Sequence, residues 1–148
     1  MTDYVIDCGA CVGWFVDLAI CKYPNHTIIA FEPYPPNFKR LEEKYSETER
    51  VRVINAALCD FEGESDFFLK KYDDGFRAEI GLEGKPNAGS TLEKFKVNVS
   101  SERIRINVLK LSLFLEKMLD IENDNLILKI DVEGSEYKIL NDLVRSPW

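Results

Sequence analysis

The chain holds a single histidine, His26, among its 148 residues, and it has no basic block. With a formal net charge of −7 and a pI of about 4.8, it is a poor partner for a phosphate backbone, and no nucleic acid partner is expected. His26 falls at the start of a candidate strand, at the end opposite the one where ligands gather, which argues against a catalytic base. No apolar run approaches the ~20 residues that cross a bilayer, and Met1-Thr2-Asp3 is too polar to open a secretory signal, so no membrane partner is expected. Cys8, Cys11, Cys21 and Cys59 lack metal-finger spacing. Cys8 and Cys11 have the Cys-x-x-Cys form, yet Cys8 should point inward from a strand. Buried or turn thiols in a reducing cytoplasm are expected. Repeats and low-complexity tracts are absent. At 45% hydrophobic, the chain can bury one core and is too short for two, which makes residues 1–148 one domain.

What is present begins at Val5-Ile6-Asp7-Cys8-Gly9-Ala10-Cys11-Val12-Gly13 and continues at Ile28-Ile29-Ala30-Phe31-Glu32-Pro33. This reads as a buried strand, a glycine turn, a helix start, and a second strand ending in an acid. Both glycines lie where strand gives way to helix, so backbone N–H groups there can approach an extended ligand. Glu32 follows Gly13 by nineteen residues, where an acid can accept hydrogen bonds from a ribose diol. A nicotinamide dinucleotide would require Gly-x-Gly-x-x-Gly. Counting from Gly9, the other two glycine positions hold Cys11 and Trp14, and an indole spoils close helix–strand packing. Asp7, two residues before the first glycine, instead suits a ligand with an ammonium group and no pyrophosphate. S-adenosylmethionine has that ammonium, a ribose for Glu32, and a carboxylate for the amides of Ala10–Gly13. The competing reading is a doubly wound sheet whose tight first turn holds no ligand.

The element order supports a parallel sheet. Strands are predicted over Tyr4–Cys8, Thr27–Phe31 and Val51–Ala56. Helices alternate with them, from near Gly13 to Lys22 with Phe15, Leu18 and Ala19 inward, and over Asn37–Tyr45 with Phe38 and Leu41 inward. This β-α-β-α-β run implies right-handed crossovers. Ser65–Lys70 reads as a short strand. Tyr72–Leu92, with Gly75, Gly81, Gly84, Pro86 and Gly89, reads as a long loop of the kind that carries specificity. Phe95–Ser100 and Ile104–Leu109 alternate with period two. Ser112 is placed to cap a helix over Leu113–Leu119. Leu126–Ile130 is a buried strand running into Asp131, and the last helix covers Gly134–Leu143 with Ile139, Leu140 and Leu143 on one face.

With these residues in view, the chain resembles the FkbM-type methyltransferases, S-adenosylmethionine-dependent enzymes of the class I Rossmann-like fold. Four separated blocks carry the resemblance. Asp7 to Gly13 resembles the first motif, in which Asn is usual at the position of Cys11. Phe31-Glu32-Pro33, with Pro36-Asn37-Phe38 and Leu41, resembles the second. Ala57-Leu58-Cys59-Asp60 with Gly63 resembles the third. Lys129-Ile130-Asp131-Val132-Glu133-Gly134-Ser135-Glu136 resembles the fourth, the most distinctive. Where the family commonly has Thr-Leu-Asp before the next-to-last helix, this chain has Lys110-Leu111-Ser112, a change that bears on a helix cap. Class I domains normally continue past the last helix with further strands. The resemblance therefore implies an α/β sheet with helices on both faces, truncated after its fourth core strand and the helix that follows. The unpaired edge so left would invite a second copy or a longer polypeptide.

The resemblance implies methyl transfer from S-adenosylmethionine to a hydroxyl oxygen, on a sugar or another small polyhydroxylated acceptor. Its alternative is a non-catalytic nucleotide-binding or interaction module within a larger protein. Cofactor-binding positions carry over as Asp7, Gly9, Ala10, Gly13 and Glu32, with Asn55, Ala56 and Asp60 on the adenine side. Asp60 also fits a plain turn before Gly63. Alkylation of an alcohol is helped by a general base, and Asp131 and Glu133 stand where the fourth strand ends beside the first. The competing reading of Asp131 to Gly134 is a charged turn at a helix start. Lys129, within an apolar strand, should pair with Asp131 or Glu133 or reach the sheet edge. A metal held by Asp131, Glu133 and Glu136 is disfavoured because Glu136 should turn away. Ser90 and Thr91 resemble a serine-containing loop that lies over the family's active site; an ordinary loop is the alternative.

Overall fold

The computed structural model describes residues 2–70, 89–94, 99–120 and 123–146. Most of the long loop assigned to Tyr72–Leu92 and the start of the Phe95–Ser100 segment lie outside the described residues.

Four parallel strands form the central sheet. They are β1 (Asp3–Cys8), β2 (Thr27–Phe31), β3 (Val51–Ile54) and β7 (Asn125–Ile130), in the spatial order β3-β2-β1-β7. Val5, Ile6, Ile28, Ile29 and Ala30 are almost completely buried, as strands covered on both faces must be. The chain leaves β1 toward β2 on one side, and β7 returns on the other. Strand order thus reverses between β1 and β7, which opens a crevice at their C-terminal ends.

Helix α1 (Trp14–Lys22) and helix α2 (Pro35–Tyr45) cover one face. Helix α2 starts on Pro35 and Pro36, whose fixed φ suits the first turn and whose missing N–H groups cost nothing there. Its Asn37, Leu41 and Tyr45 recur every four residues and are buried. The Tyr45 hydroxyl lies 2.9 Å from the Gly13 carbonyl and 2.8 Å from Asp17 Oδ1, fixing α2 against the start of α1. On α1 the inward residues are Val16 and Ala19, while Leu18 is 43% exposed. The predicted stripe was therefore out of phase at Leu18.

The opposite face is covered by α3 (Leu111–Met118) and α4 (Glu136–Arg145), packed around Ile6, Phe31, Leu111, Leu115 and Ile139. Two expectations are corrected here. Ser112 is not a cap: it is buried within α3, whose N-cap position is Lys110. Leu140 is 49% exposed, since the buried stripe of α4 runs through Ile139 and Leu143.

A second sheet of three strands, ordered β4-β6-β5, holds β4 (Ala57–Cys59), β5 (Gly63–Lys70) and β6 (Val99–Lys110). The single strand predicted over Val51–Ala56 ends early. Ala56 N–H turns back to the Ile54 carbonyl, and the chain moves to the second sheet at Ala57. The described end of the first alternating segment, Val99–Ser100, and the whole of the second, Ile104–Leu109, lie in one strand, β6. It pairs antiparallel with β5 and parallel with β4.

Candidate active site

Three strand ends, Cys8 of β1, Phe31 of β2 and Ile130 of β7, meet at the crevice. Gly9 sits between them with a φ of 91°. A Cβ at that position would collide with the Asp131 carbonyl oxygen, so only glycine lets the first turn lie against the end of β7. Its N–H and that of Ala10 both donate to the Phe31 carbonyl, at 3.1 and 2.9 Å, and Gly13 N–H donates to the Ala10 carbonyl at 2.7 Å. Cys11 N–H donates to Glu32 Oε2 at 2.8 Å. The amides that the sequence offers to a ligand carboxylate are therefore taken by the protein at Ala10, Cys11 and Gly13. Cys11 has a φ of 51°, a left-handed conformation that Asn adopts more readily than Cys. This is a physical reason for the Asn usual at this position of the resembled motif.

Glu32 is only 4% exposed. Its carboxylate accepts from Cys11 N–H and, at 2.9 Å, from Tyr34 N–H, with further support from the Asn37 side chain. Burial pushes its pKa up to about 7; these hydrogen bonds oppose the rise, and the nearby Asp7 charge adds to it. A carboxylate has about four lone-pair positions, so with three donors in place Glu32 retains acceptor capacity at the cleft for about one hydroxyl donor.

Asp7 is completely buried. Its Oδ1 lies 2.9 Å from the ammonium of Lys129, which also donates to the Gly9 carbonyl at 2.9 Å and stands 3.8 Å from Asp131 Oδ2. The Oδ1 contact is an ion pair without hydrogen-bond alignment, and Oδ2 has no partner among the described residues. Burial raises the Asp7 pKa and Lys129 opposes it. The ammonium that the sequence seeks for Asp7 in a ligand is thus supplied by the chain itself. Lys129, expected to pair with Asp131 or Glu133 or to reach the sheet edge, does stand by Asp131, but its shorter contacts are to Asp7 and Gly9.

The turn after β7 is fixed from within the chain. Glu136 folds back from the first turn of α4, accepting from Val132 N–H at 3.0 Å and Gly134 N–H at 2.9 Å. It caps the turn rather than facing away, which commits both its oxygens. Glu133 takes the left-handed region at φ 63°, followed by Gly134 at 127°. Thr91, fully buried, donates its hydroxyl to the Glu133 carbonyl at 2.6 Å.

These elements enclose a cleft of about 680 Å3, counting its open mouth. Of the residues predicted from sequence, Gly9, Glu32, Ala56, Asp131 and Glu133 line it, and Ser90 joins them. Asp7, Ala10, Gly13, Asn55 and Asp60 are not on that wall. Asn55 instead donates its amide to the Glu32 and Pro33 carbonyls, at 2.8 and 3.2 Å. Gly13 gives its carbonyl to Tyr45. Asp60 accepts from the Cys59 thiol. Sequence reasoning missed Phe67 and Leu92, apolar wall residues from outside the motifs. Phe67 reads only as part of a short strand, and Leu92 as the last residue of the long loop.

An open parallel sheet, a glycine turn at its switch point and a buried acid at the end of the second strand define a Rossmann-like α/β domain. Residues 7–147 match the model of the methyltransferase FkbM domain, and the chain belongs to that family. Methyltransferase 1 of Beauveria bassiana (strain ARSEF 2860) is 28% identical over 152 residues, covering 99% of this chain and 60% of its own length. Methyltransferase sdnD of Sordaria araneosa is 23% identical over 163 residues, covering 98% and 62%. The chain thus spans about three fifths of these curated relatives. The crystal structure of methyltransferase FkbM from Methylobacillus flagellatus KT has the same fold, with a TM-score of 0.54 at 16% identity over 97% of this chain and 29% of that one. Among the described residues, no helix is long and apolar enough to cross a membrane.

The buried acids make stability depend on pH. Glu32 has a folded pKa of about 7 against an ordinary 4.5, so the folded state holds its proton more tightly than the unfolded chain. Its contribution is complete below pH 4.5 and is lost as pH rises through 7; Asp7 acts in the same direction. The urea midpoint of the ligand-free protein should therefore fall between about pH 5 and pH 8, by on the order of a few kcal/mol in unfolding free energy. A flat or rising midpoint over that range would contradict the burial argument.

Proposed function

We propose that this chain binds S-adenosylmethionine in the cleft and methylates a hydroxyl oxygen of a sugar or another small polyhydroxylated acceptor. The observation that carries this reading is the buried Glu32 facing the cleft beside the glycine turn, with Asp131 and Glu133 on the same wall. Family membership supplies the methyl-transfer chemistry, and the acceptor class rests on resemblance alone. When bound, the cofactor supplies a methyl carbon activated by a sulfonium. Glu32 would accept from a ribose hydroxyl, and Gly9 would allow close approach along the first turn. The acceptor oxygen gains the C–O bond as the C–S bond breaks, and its proton passes to the Asp131 or Glu133 carboxylate. Holding the partners in line supplies most of the acceleration. The carboxylate-lined wall and the net charge of −7 favour a neutral acceptor over a nucleic acid.

Calorimetry with S-adenosylhomocysteine should show saturable binding that tightens as pH rises through about 7, because hydroxyl donors need the Glu32 carboxylate ionised. Glu32→Ala should weaken it by about 1–3 kcal/mol. Binding of NAD alone would sink the cofactor assignment. Labelled S-adenosylmethionine should then deliver label to oxygen in a screen of sugar and polyketide hydroxyls. Turnover should drop by roughly tenfold or more in Asp131→Asn or Glu133→Gln. Label on nitrogen, or unchanged turnover in both variants, would overturn the reaction assignment.

A second reading, as an interaction module of a larger assembly, is favoured by one observation. Residues 126–130 of β7 are only half-buried, although the parallel strand β1 beside them is buried at its centre. We infer that the outer edge of β7 accepts another strand, from a second copy or a longer polypeptide. Sedimentation of this chain should show concentration-dependent association. A sharp monomer boundary at all concentrations would argue against self-pairing.

A further inference from the structure

The segment Gly89–Lys94 crosses from the end of β5 to the turn that carries Asp131 and Glu133. On the β5 side, Phe68 N–H donates to the Thr91 carbonyl at 2.8 Å, and Thr91 N–H answers to the Phe68 carbonyl at 3.0 Å. Lys70 N–H donates to the Ser90 hydroxyl at 2.9 Å. On the other side, the Thr91 hydroxyl donates to the Glu133 carbonyl and accepts from Glu93 N–H at 2.9 Å. Glu93 Oε1 then receives the Ser135 hydroxyl at 3.0 Å and the Lys138 ammonium at 2.7 Å. Ser135 is 1% exposed, so this junction is anchored in the interior although Lys138 reaches solvent. The stem of Glu93 lies over Gly134, where a Cβ would come within 2.9 Å of Glu93 Cγ. That close approach explains a glycine in the fourth block without reference to any ligand.

Gly89, Ser90 and Leu92 of this segment form part of the cleft wall. A displacement of Glu93 would therefore shift two things together: that wall, and the backbone that presents Glu133. We propose that Glu93, held by Lys138 and Ser135, is a positioning residue that latches the 89–94 segment onto the 131–135 turn and so sets the cleft wall and the Glu133 backbone as one unit. The latch rests on the methyl-transfer reading for its purpose, and on the contacts alone for its existence.

Charge reversal with rescue tests it. Amide hydrogen exchange is measured for Glu93→Lys, Lys138→Glu and the double reversal. Exchange at Thr91 and at Gly134 should accelerate together by roughly tenfold in each single variant and return to within about threefold of wild type in the double. Amides of β1 and β2 should not change. Glu93→Gln, which keeps an acceptor for Ser135 and removes the charge, should give a smaller acceleration at the same two amides and covers the case in which a reversal does not fold. S-adenosylhomocysteine binding should keep its pH midpoint near 7, since that follows Glu32. Unchanged exchange in the single variants, acceleration at Thr91 without Gly134, or no recovery in the double reversal would each overturn the latch. If wild-type protein fails to bind S-adenosylhomocysteine, the cofactor reading falls while the exchange results still decide the latch.

Discussion

Asp7 and Lys129 stand opposite each other in the parallel register of β1 and β7, and the site is organised around that contact. Burying a carboxylate completely is costly unless a cation accompanies it. Here the cation also reaches the Gly9 carbonyl, so one ammonium ties both strands to the first turn. Removing one member of such a buried pair typically costs about 3–5 kcal/mol, because the other is left uncompensated. With the pair in place, the switch point between β1 and β7 is held at a fixed width, and the glycine turn lies against the backbone of Asp131.

That arrangement dictates the electrostatics of the cleft. Asp7, Glu32, Asp131 and Glu133 all gather at the strand ends, with Lys129 between Asp7 and Asp131. Glu32 bears the cost. It is excluded from water and lies near another acid, so its pKa rises to about 7 despite two amide donors. A hydrogen-bonded acid kept partly protonated by burial contributes little to folding at neutral pH. It is suited to a task that repays ionisation, such as the proposed acceptance of a ribose hydroxyl. Stability and the proposed ligand recognition pull in opposite directions at this residue.

The remaining wall comes from a different part of the chain. The second sheet brings Phe67 from β5 and, through the bridge at Phe68, the 89–94 segment to the crevice. Glu136 and Thr91 then grip the turn after β7 from its two sides, one through amides and the other through a carbonyl. The left-handed conformation of Glu133 persists because both neighbours over-determine it, as is common where side chains must be aimed.

The parallel β-α-β core, the glycine turn at Gly9, the acid after β2 and the acidic turn at Asp131 to Gly134 were all legible in the order of residues. Each of these is a local signal: hydrophobic runs broken by glycine, or an acid at a set distance along the chain. The family resemblance was legible for the same reason, since its four blocks are strand ends. Register and side-chain partners were not legible. Local periodicity could not reveal that Lys129 neutralises Asp7, since they are 122 residues apart and meet only because β7 pairs with β1 in one particular register. Nor could it reveal that the amides of Ala10 and Cys11 are spent on Phe31 and Glu32, or that Glu136 turns back to cap its own loop. Leu18 and Leu140 fall off the buried stripes because helical spacing gives a period, while the phase is chosen by the surface each helix meets; Ser112 lies inside its helix because the helix starts two residues earlier than its cap signal implies. Tertiary structure decided who pairs with whom, because a buried charge or amide is satisfied by whatever the fold brings within about 3 Å, however distant in sequence.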